Sequence, residues 1–386
     1  MRIACLFVSL FRTGEFIGLD RYLAARKAGG AAVESVPEDA PVMEGLKSAP
    51  VPPGLFNRRQ ILTPLVSLPV FGAFVYGVLK KRGWESWEEK HLLAAQGTDA
   101  VTSATLKTFH FSSLKDLKGT IPHAKIMDID LSRMILGGNL IGGWAHARDL
   151  IYTSKLVKAY HSDRKVFETF QLAEQCGVNA ILTNPALARV INHYWRREGG
   201  KIKFISDCAF GGDVIEGIKV SIDGGAHACY VQGGIADRLY KEGKVEEIAR
   251  AVDFIRANGV PAGVGAHDLN TVKACVEMGI KPDYWVKTLH QVDYWSARVG
   301  EPEHDNIWCT NPEETVEYMK NLEQPWIAFK ILAAGAIEPK VAFPYAFKSG
   351  ADFICVGMYD FQIVDDINLA CEALNSDIPR ERRWMA

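Results

Sequence analysis

The sequence predicts an α/β fold, a (β/α)₈ barrel preceded by one N-terminal apolar segment, from three observations. Short apolar, β-branched runs alternate with helical patterns eight times after residue 125. Eight strands with crossover helices in about 250 residues are what a closed parallel barrel requires. The third observation is an uncharged apolar stretch at 61–79, which lies before the alternating strand and helix patterns and is not part of them.

The N-terminal part of the chain predicts that the protein is localised to a membrane. Residues 61–79 carry no charge and follow the pair Arg58 and Arg59. At about 1.5 Å per helical residue, their length matches the roughly 30 Å of a bilayer core. Pro64 and Pro69 would kink a helix, which a membrane helix tolerates better than a buried core helix, the alternative. The arginine pair resembles a twin-arginine export signal.

These features divide the chain into four predicted parts: a tail at 1–57, a signal or transmembrane anchor at 58–82, a connector at 83–124 and the barrel at 125–386. We expect a membrane-anchored protein with the barrel on the extracytoplasmic, periplasmic side. Seven of the eight cysteines follow the anchor. An odd number scattered through apolar segments does not indicate a disulfide framework.

Each barrel strand is predicted where a short apolar run is bounded by turn residues or a helical pattern. The predicted strands are 134–138, 178–183, 202–207, 228–232, 261–266, 284–289, 326–332 and 352–356, and the predicted helices include 165–176, 186–198, 245–258, 269–278, 312–322, 339–348 and 363–374. The alternative is a doubly wound open sheet. It would need a Gly-x-Gly-x-x-Gly turn after its first strand, whereas residues 137–143 read GGNLIGG.

Composition excludes two classes of protein. Hydrophobic residues make up 48% of the chain, and 44 basic residues face 46 acidic ones for a net charge of −2. A disordered chain would lack this apolar mass, and a nucleic-acid-binding protein would show a clustered basic excess. We therefore expect a folded protein whose partner is a small molecule and not a nucleic acid.

Three segments resemble aldo-keto reductases. Residues 130–138 (DLSRMILGG) resemble the opening hairpin and first strand of that family. Residues 167–179 (FETFQLAEQCGVN) resemble its first helix and the entry to its second strand, and residues 351–366 (ADFICVGMYDFQIVDD) its eighth strand and the helix after it. The resemblance implies a (β/α)₈ barrel of the same general build.

The catalytic Asp, Tyr, Lys and His of the family do not carry over. Leu182 stands where the Asp is expected, residues 206–208 (SDC) where the Lys is expected, and Gln232 near the position of the His. The resemblance therefore implies a related barrel with different chemistry, in which NADP is not an expected cofactor.

In such barrels the active site lies at the C-terminal ends of the strands, where the βα loops converge. The polar residues there are Asn139, Thr183, Asn184, Asp207, Cys208, Gln232, His267, Asp268, His290, Lys330 and Tyr359. We expect His267 and His290 to be catalytic with Asp207. Imidazole and carboxylate together also suit zinc, manganese or iron, so the same three residues form a candidate divalent-metal site. The alternative is that the two histidines position loops.

Lys287 lies inside a predicted strand, where a buried charge needs a partner. Its place on the sixth strand resembles that of the Schiff-base lysine of class I aldolases, which would make it catalytic, since a desolvated amine becomes nucleophilic. The alternative is an ion pair with a carboxylate such as Asp207.

Four residues are predicted to bind substrate. His146 and Arg148, in the long first βα loop, would contact a carboxylate or hydroxyls, and Gln232 and Lys330 would line the cavity.

Two cofactor sites are predicted as well. Gly335 and Gly357 follow the seventh and eighth strands, where glycine-rich turns cradle phosphates, although tight turns also explain them. Residues 99–105 (DAVTSAT) resemble the acceptor sequence for covalent FMN, with Ser103 in place of the usual glycine, which would place the flavin on Thr105. A flexible linker is the alternative.

The leading functional prediction is an oxidoreductase acting on a small carbonyl or carbohydrate-like substrate. His267 and His290 would exchange protons with the substrate, while FMN or an electron-transfer partner takes the electrons. The first alternative is a metal-dependent or Schiff-base lyase or isomerase using Asp207, His267, Lys287 and His290. The second alternative is a barrel that binds a ligand without catalysis.

Overall fold

The computed structural model describes residues 76, 111–147, 150–294, 297, 306–377 and 379–386. The chain divides into two compact units, Met1–Phe109 and His110–Ala386. The predicted tail, the anchor apart from Tyr76, and most of the connector, including Thr105, lie outside the described residues. Within the described ranges, no helix combines the length and the apolar character needed to cross a membrane.

Eight parallel strands close into a barrel, which confirms the predicted barrel and excludes the open sheet. They are β3 Met134–Gly137, β4 Ala180–Thr183, β5 Lys203–Ser206, β6 Ala228–Val231, β7 Ala262–Ala266, β8 Tyr284–Thr288, β9 Trp326–Phe329 and β10 Phe353–Val356. Closure occurs between β10 and β3, where Cys355 pairs with Ile135. The hairpin of β1 His123–Ile126 and β2 Ile129–Ser132 precedes the barrel.

Side chains alternate between the barrel interior and the helix layer because a strand repeats every two residues. The interior cluster contains Ile135, Leu182, Ile205, Tyr230, Tyr284, Val286, Ile327 and Phe353, together with Ile126 and Leu131 of the hairpin. Gly263 faces this interior, and a Cβ atom on it would lie 2.5 Å from the Tyr284 ring. The small residue on β7 therefore makes room for a large ring on its neighbour.

The helices of the described chain surround the barrel. They are α1 Asn139–Gly142, α2 Thr153–Tyr160, α3 Asp163–Gln175, α4 Ala188–His193, α5 Val214–Asp223, α6 Gly233–Lys241, α7 Val245–Ala257, α8 Leu269–Glu277, α9 Pro312–Met319, α10 Pro339–Lys348 and α11 Asp360–Asn375. The predicted helix at 186–198 is α4 continued by a π-helical turn at Tyr194–Glu198. Sequence patterns did not predict α6, which opens on two glycines, poor helix formers.

The C-terminal residues pack against the N-terminal ends of the strands. Asp352, just before β10, forms an ion pair of 2.6 Å with Arg382, and both side chains are fully buried. Trp384 lies between two guanidinium groups, with its ring centre 3.7 Å from Arg133 and 3.3 Å from Arg380. The seven described cysteines are all free.

Candidate active site

His267 directly follows β7 and is held by Asp237 of α6. Nδ1 of His267 lies 2.9 Å from Oδ2 of Asp237, and the same oxygen accepts the backbone N–H of His267 at 3.0 Å. The other carboxylate oxygen accepts the Thr271 hydroxyl at 2.7 Å. Burial raises the pKa of Asp237, but the hydrogen bonds from His267 and Thr271 outweigh burial and hold that pKa below its ordinary value. The ionised carboxylate therefore fixes the His267 proton on Nδ1.

The other ring nitrogen of His267 remains available for chemistry. Among the described residues, Nε2 makes no hydrogen bond, and it is not sealed from solvent. The ring packs against Trp308 and Phe329, with centroid distances of 5.3 and 5.4 Å. An imidazole with one nitrogen held by a carboxylate and the other open is arranged as a general base.

Trp308 joins His267 to a second group of polar residues. Its ring centre lies 3.5 Å from Nζ of Lys330 and 4.9 Å from the His146 ring centre. Nζ of Lys330 is also 2.7 Å from Nε2 of His146, and Nδ2 of Asn139 is 3.2 Å from that atom. The structure thus brings together the predicted substrate residues His146 and Lys330 beside the predicted catalytic His267.

An open pocket of about 530 Å³ adjoins this cluster. The residues that line it include Asp237, His267 and Trp308, the cations Arg238 and Lys241, and the acidic Glu242. A volume of this order accommodates a small molecule.

Asp207 follows β5 at the same end of the barrel. Its Oδ1 accepts the backbone N–H of Ala209 at 2.9 Å and the side-chain amide of Asn184 at 3.1 Å. Burial raises the pKa of Asp207 to about 6, and these two hydrogen bonds offset part of that effect. The carboxyl group therefore changes its charge close to neutral pH, as an acid catalyst must.

His290 positions the loop that contains Trp308 and Cys309, as expected if this histidine is structural and not catalytic. Its Nδ1–H donates to the carbonyl of Gln291 at 2.8 Å, and Nε2 accepts the backbone N–H groups of Trp308 and Cys309, each at 2.9 Å. Burial lowers the pKa of this imidazole, so it stays neutral. Both nitrogens are used, so His290 has no atom left for a substrate or a metal, and it acts by fixing Trp308.

The three residues predicted as metal ligands do not form a metal-binding group. In the described part of the chain, no cluster of three or more His, Cys, Asp or Glu side chains has a suitable arrangement. His267 and His290 are each engaged with other partners through Nδ1.

Lys287 does not face the barrel cavity. It alternates with Val286, whose side chain lies in the interior, and shares the orientation of Trp285, which packs in the helix layer. Its Nζ donates to the carbonyl oxygens of His267 at 2.8 Å and Thr288 at 3.1 Å and to the Thr288 hydroxyl at 2.9 Å. Burial lowers its pKa, but three acceptors use all three ammonium protons. Lys287 is therefore not placed to form a Schiff base in the cavity, and it does not pair with Asp207, so both predictions for it were wrong.

The remaining predicted residues have varied placements. Gln232 caps α6, with Oε1 accepting the Ile235 N–H at 3.0 Å. Gly357 packs against Gly137 of β3, and a Cβ atom on Gly137 would lie 2.9 Å from the backbone nitrogen of Gly357. Close packing of the two strands therefore explains both glycines. Gly335 ends a left-handed turn that includes Ala333 and Ala334. Arg148 lies outside the described residues.

Asp237 and Trp308 are functional candidates that the sequence interpretation missed. A signal for Asp237 exists, because it is an acidic residue on the buried face of α6, beside Gly233 and Ala236. Buried carboxylates need partners, so its position indicates a polar contact. No comparable signal marks Trp308, since tryptophans are common in packing.

Comparisons with known proteins find only distant likenesses. No protein-family model matches the chain, and no curated protein is similar to it. Among solved structures, a protein from Pseudomonas aeruginosa assigned as an aldo-keto reductase is 15% identical, with a TM-score of 0.47, covering 68% of this chain and 100% of its own. A truncated 3-deoxy-D-arabino-heptulosonate 7-phosphate synthase from Thermotoga maritima is 10% identical, with a TM-score of 0.40 and coverage of 66% and 94%. At this distance the likenesses concern the barrel alone and carry no argument about function.

Proposed function

We propose that the protein is an enzyme that moves a proton on a small, anionic carbonyl compound, with His267 as general base and acid. The observation that carries the proposal is the Asp237 carboxylate 2.9 Å from Nδ1 of His267. It sets the tautomer, keeps Nε2 free to accept a proton, and stabilises the imidazolium that results. Asp237 is a positioning residue in this scheme.

The proposed step is proton removal next to a carbonyl group. Nε2 of His267 takes the proton from the carbon next to the carbonyl, the C–H electron pair moves into the C–C bond, and the carbonyl π pair moves to oxygen. The imidazolium returns the proton to the same carbon, which gives epimerisation. In an α-hydroxy carbonyl compound it returns the proton to the former carbonyl carbon while the hydroxyl proton passes to the former carbonyl oxygen, which gives isomerisation. The ammonium of Lys330, held 2.7 Å from His146, is the cation placed to stabilise the developing oxyanion. No electrons are gained or lost overall, so the reaction class is isomerisation or epimerisation.

We propose an anionic substrate because two cations, Arg238 and Lys241, line the pocket, although the acidic residues Asp237 and Glu242 line it as well. Lys330 adjoins the pocket through Trp308. Arg238 is also paired with Glu242 at 3.1 Å. A carboxylate or phosphate on the substrate would find hydrogen-bond donors of opposite charge there.

The oxidoreductase predicted from the sequence stays a prediction, and it shares the same proton donor. In that reaction His267 would protonate the carbonyl oxygen, while reducing equivalents come from an external carrier or from FMN on Thr105. The residues around His267 concern the proton transfer of that reaction and not its electron transfer. Covalent FMN is checked by intact mass and visible absorbance of the full chain.

Deuterium exchange measured by NMR tests the proton-transfer proposal. Full-length protein in D₂O is incubated with pyruvate, dihydroxyacetone phosphate, glyceraldehyde 3-phosphate and ribose 5-phosphate, with and without NADPH. We expect exchange next to the carbonyl of at least one probe without NADPH, and a loss of about 100-fold or more in His267→Gln. His193→Gln, an exposed histidine on α4, is the matched control and should behave as the parent protein. Exchange at the parent rate in His267→Gln, or consumption of NADPH with no exchange on any probe, would refute the proposal.

A further inference from the structure

The first βα connection carries an exposed apolar surface. Ile151 exposes 92% of its surface, Leu156 63% and Tyr152 59%. Val157 is the buried residue of α2. Exposed apolar side chains grouped in one short segment point to a contact site. We define the α2 patch as Leu150, Ile151, Tyr152, Lys155, Leu156 and Lys158.

The charge on the α2 patch is positive. Lys155 and Lys158 of α2 are exposed and lie three residues apart, so they share one face of the helix. Within the described ranges neither lysine forms an ion pair, because the nearby carboxylates have other cationic partners: Asp163 pairs with Arg189 at 3.5 Å, and Asp360 with Lys165 at 2.9 Å. The patch therefore combines apolar side chains with lysines that have no ionic partner in the part of the chain that the structure describes.

We propose that the α2 patch is a contact surface for anionic lipid bilayers. Apolar and aromatic side chains bordered by lysines are the arrangement of interfacial helices, in which the apolar face enters the headgroup region and the lysines meet anionic lipids. A second copy of the chain fits less well. A twofold contact through the patch would bring the lysines of the two copies together without acidic partners.

The proposal has a geometric consequence for the barrel. The patch belongs to the segment between β3 and α3, which follows the C-terminal end of the first barrel strand. His146 lies in the same segment. Contact through the patch therefore places the membrane on the side of the barrel that carries the candidate active site. The inference is independent of the proton-transfer chemistry.

A site-specific fluorescent probe tests the proposal in the full chain. Bulk binding to vesicles is not a suitable readout, because the apolar run at 61–79 would also hold the chain on lipid. Ile151→Cys is labelled with an environment-sensitive dye, mixed with phosphatidylglycerol or phosphatidylcholine vesicles, and corrected for labelling of the native cysteines. Met278→Cys is the matched control, since Met278 is an exposed hydrophobic residue at the C-terminal end of α8.

We expect the dye at position 151 to shift to the blue and to be quenched by lipid-borne nitroxide on phosphatidylglycerol vesicles only. The dye at position 278 should not respond. Adding Lys155→Glu and Lys158→Glu should abolish the response at 151 while the far-ultraviolet circular dichroism is unchanged. Equal responses at 151 and 278, an equal response on phosphatidylcholine, or a shift that depends on protein concentration without lipid would overturn the proposal.

Discussion

Replacing Asp207 by Asn should stabilise the protein at neutral pH and leave it nearly unchanged in acid. The folded chain raises the pKa of this carboxyl group from 3.8 to about 6, because burial penalises the charged form. The unfolded chain loses the proton at the lower pKa. Between these two values the folded state therefore binds more protons, and stability falls as pH rises. An Asn side chain keeps the Oδ1 that accepts from Asn184 and Ala209 and carries no charge to bury.

The size of the effect follows from the shift. A displacement of about two pKa units corresponds to about 3 kcal/mol, fully present above the folded pKa and absent below the unfolded one. Since Asn cannot titrate, the difference in unfolding free energy between Asp207→Asn and the parent should grow by about 2 to 3 kcal/mol from roughly pH 4 to pH 7.

Urea unfolding of both proteins, followed by circular dichroism and tryptophan fluorescence across this pH range, measures that difference. Asp253→Asn provides a control, because Asp253 is exposed on α7 and should show no such trend. A difference between Asp207→Asn and the parent that does not change with pH would show that the burial argument is wrong. A difference that shrinks as pH rises would show that the sign is wrong.

Three further outcomes are expected. Lys287→Met should lower the unfolding free energy by about 1 to 3 kcal/mol, because it removes a buried donor from the carbonyl oxygens of His267 and Thr288, and it should retain proton exchange because Lys287 does not face the cavity. Loss of exchange with an intact fold would assign Lys287 a catalytic role. Ala334→Gly should raise the thermal midpoint, since Ala334 is exposed with φ of 57°, a conformation costing Ala about 1 kcal/mol more than Gly; an unchanged or lower midpoint contradicts this. Asp352→Asn should cost about 3 to 5 kcal/mol in urea unfolding by leaving Arg382 buried without its carboxylate, and a cost below about 1 kcal/mol would count against it.

The barrel strands were predictable because each depends on a local pattern. The runs at 228–232 and 284–289 carry enough apolar and β-branched residues to be recognised alone, and they correspond to β6 and β8. The structure shortens them by one residue because pairing with neighbours sets where a strand ends. The helix α6 escaped prediction, since its stability comes from packing against β7 rather than from its opening glycines.

The roles of the candidate site residues could not be predicted from their positions in the sequence alone. His267 and His290 look alike in the sequence, each following a barrel strand. The structure assigns them different tasks, because Asp237 leaves one nitrogen of His267 open while backbone groups occupy both nitrogens of His290. Lys287 and Lys330 likewise both follow apolar runs, yet one lies in the helix layer and the other beside His146.

The amino-acid sequence alone was sufficient to predict the barrel, because the periodicity of strands and helices depends on residues only a few positions apart. The chemistry required the folded chain. His267 meets its carboxylate 30 residues away, and Lys330 meets His146 across 184 residues, distances over which no periodic pattern persists. Hydrogen bonds act over about 3 Å, so the barrel has to close before side chains this far apart in sequence can set each other's protonation.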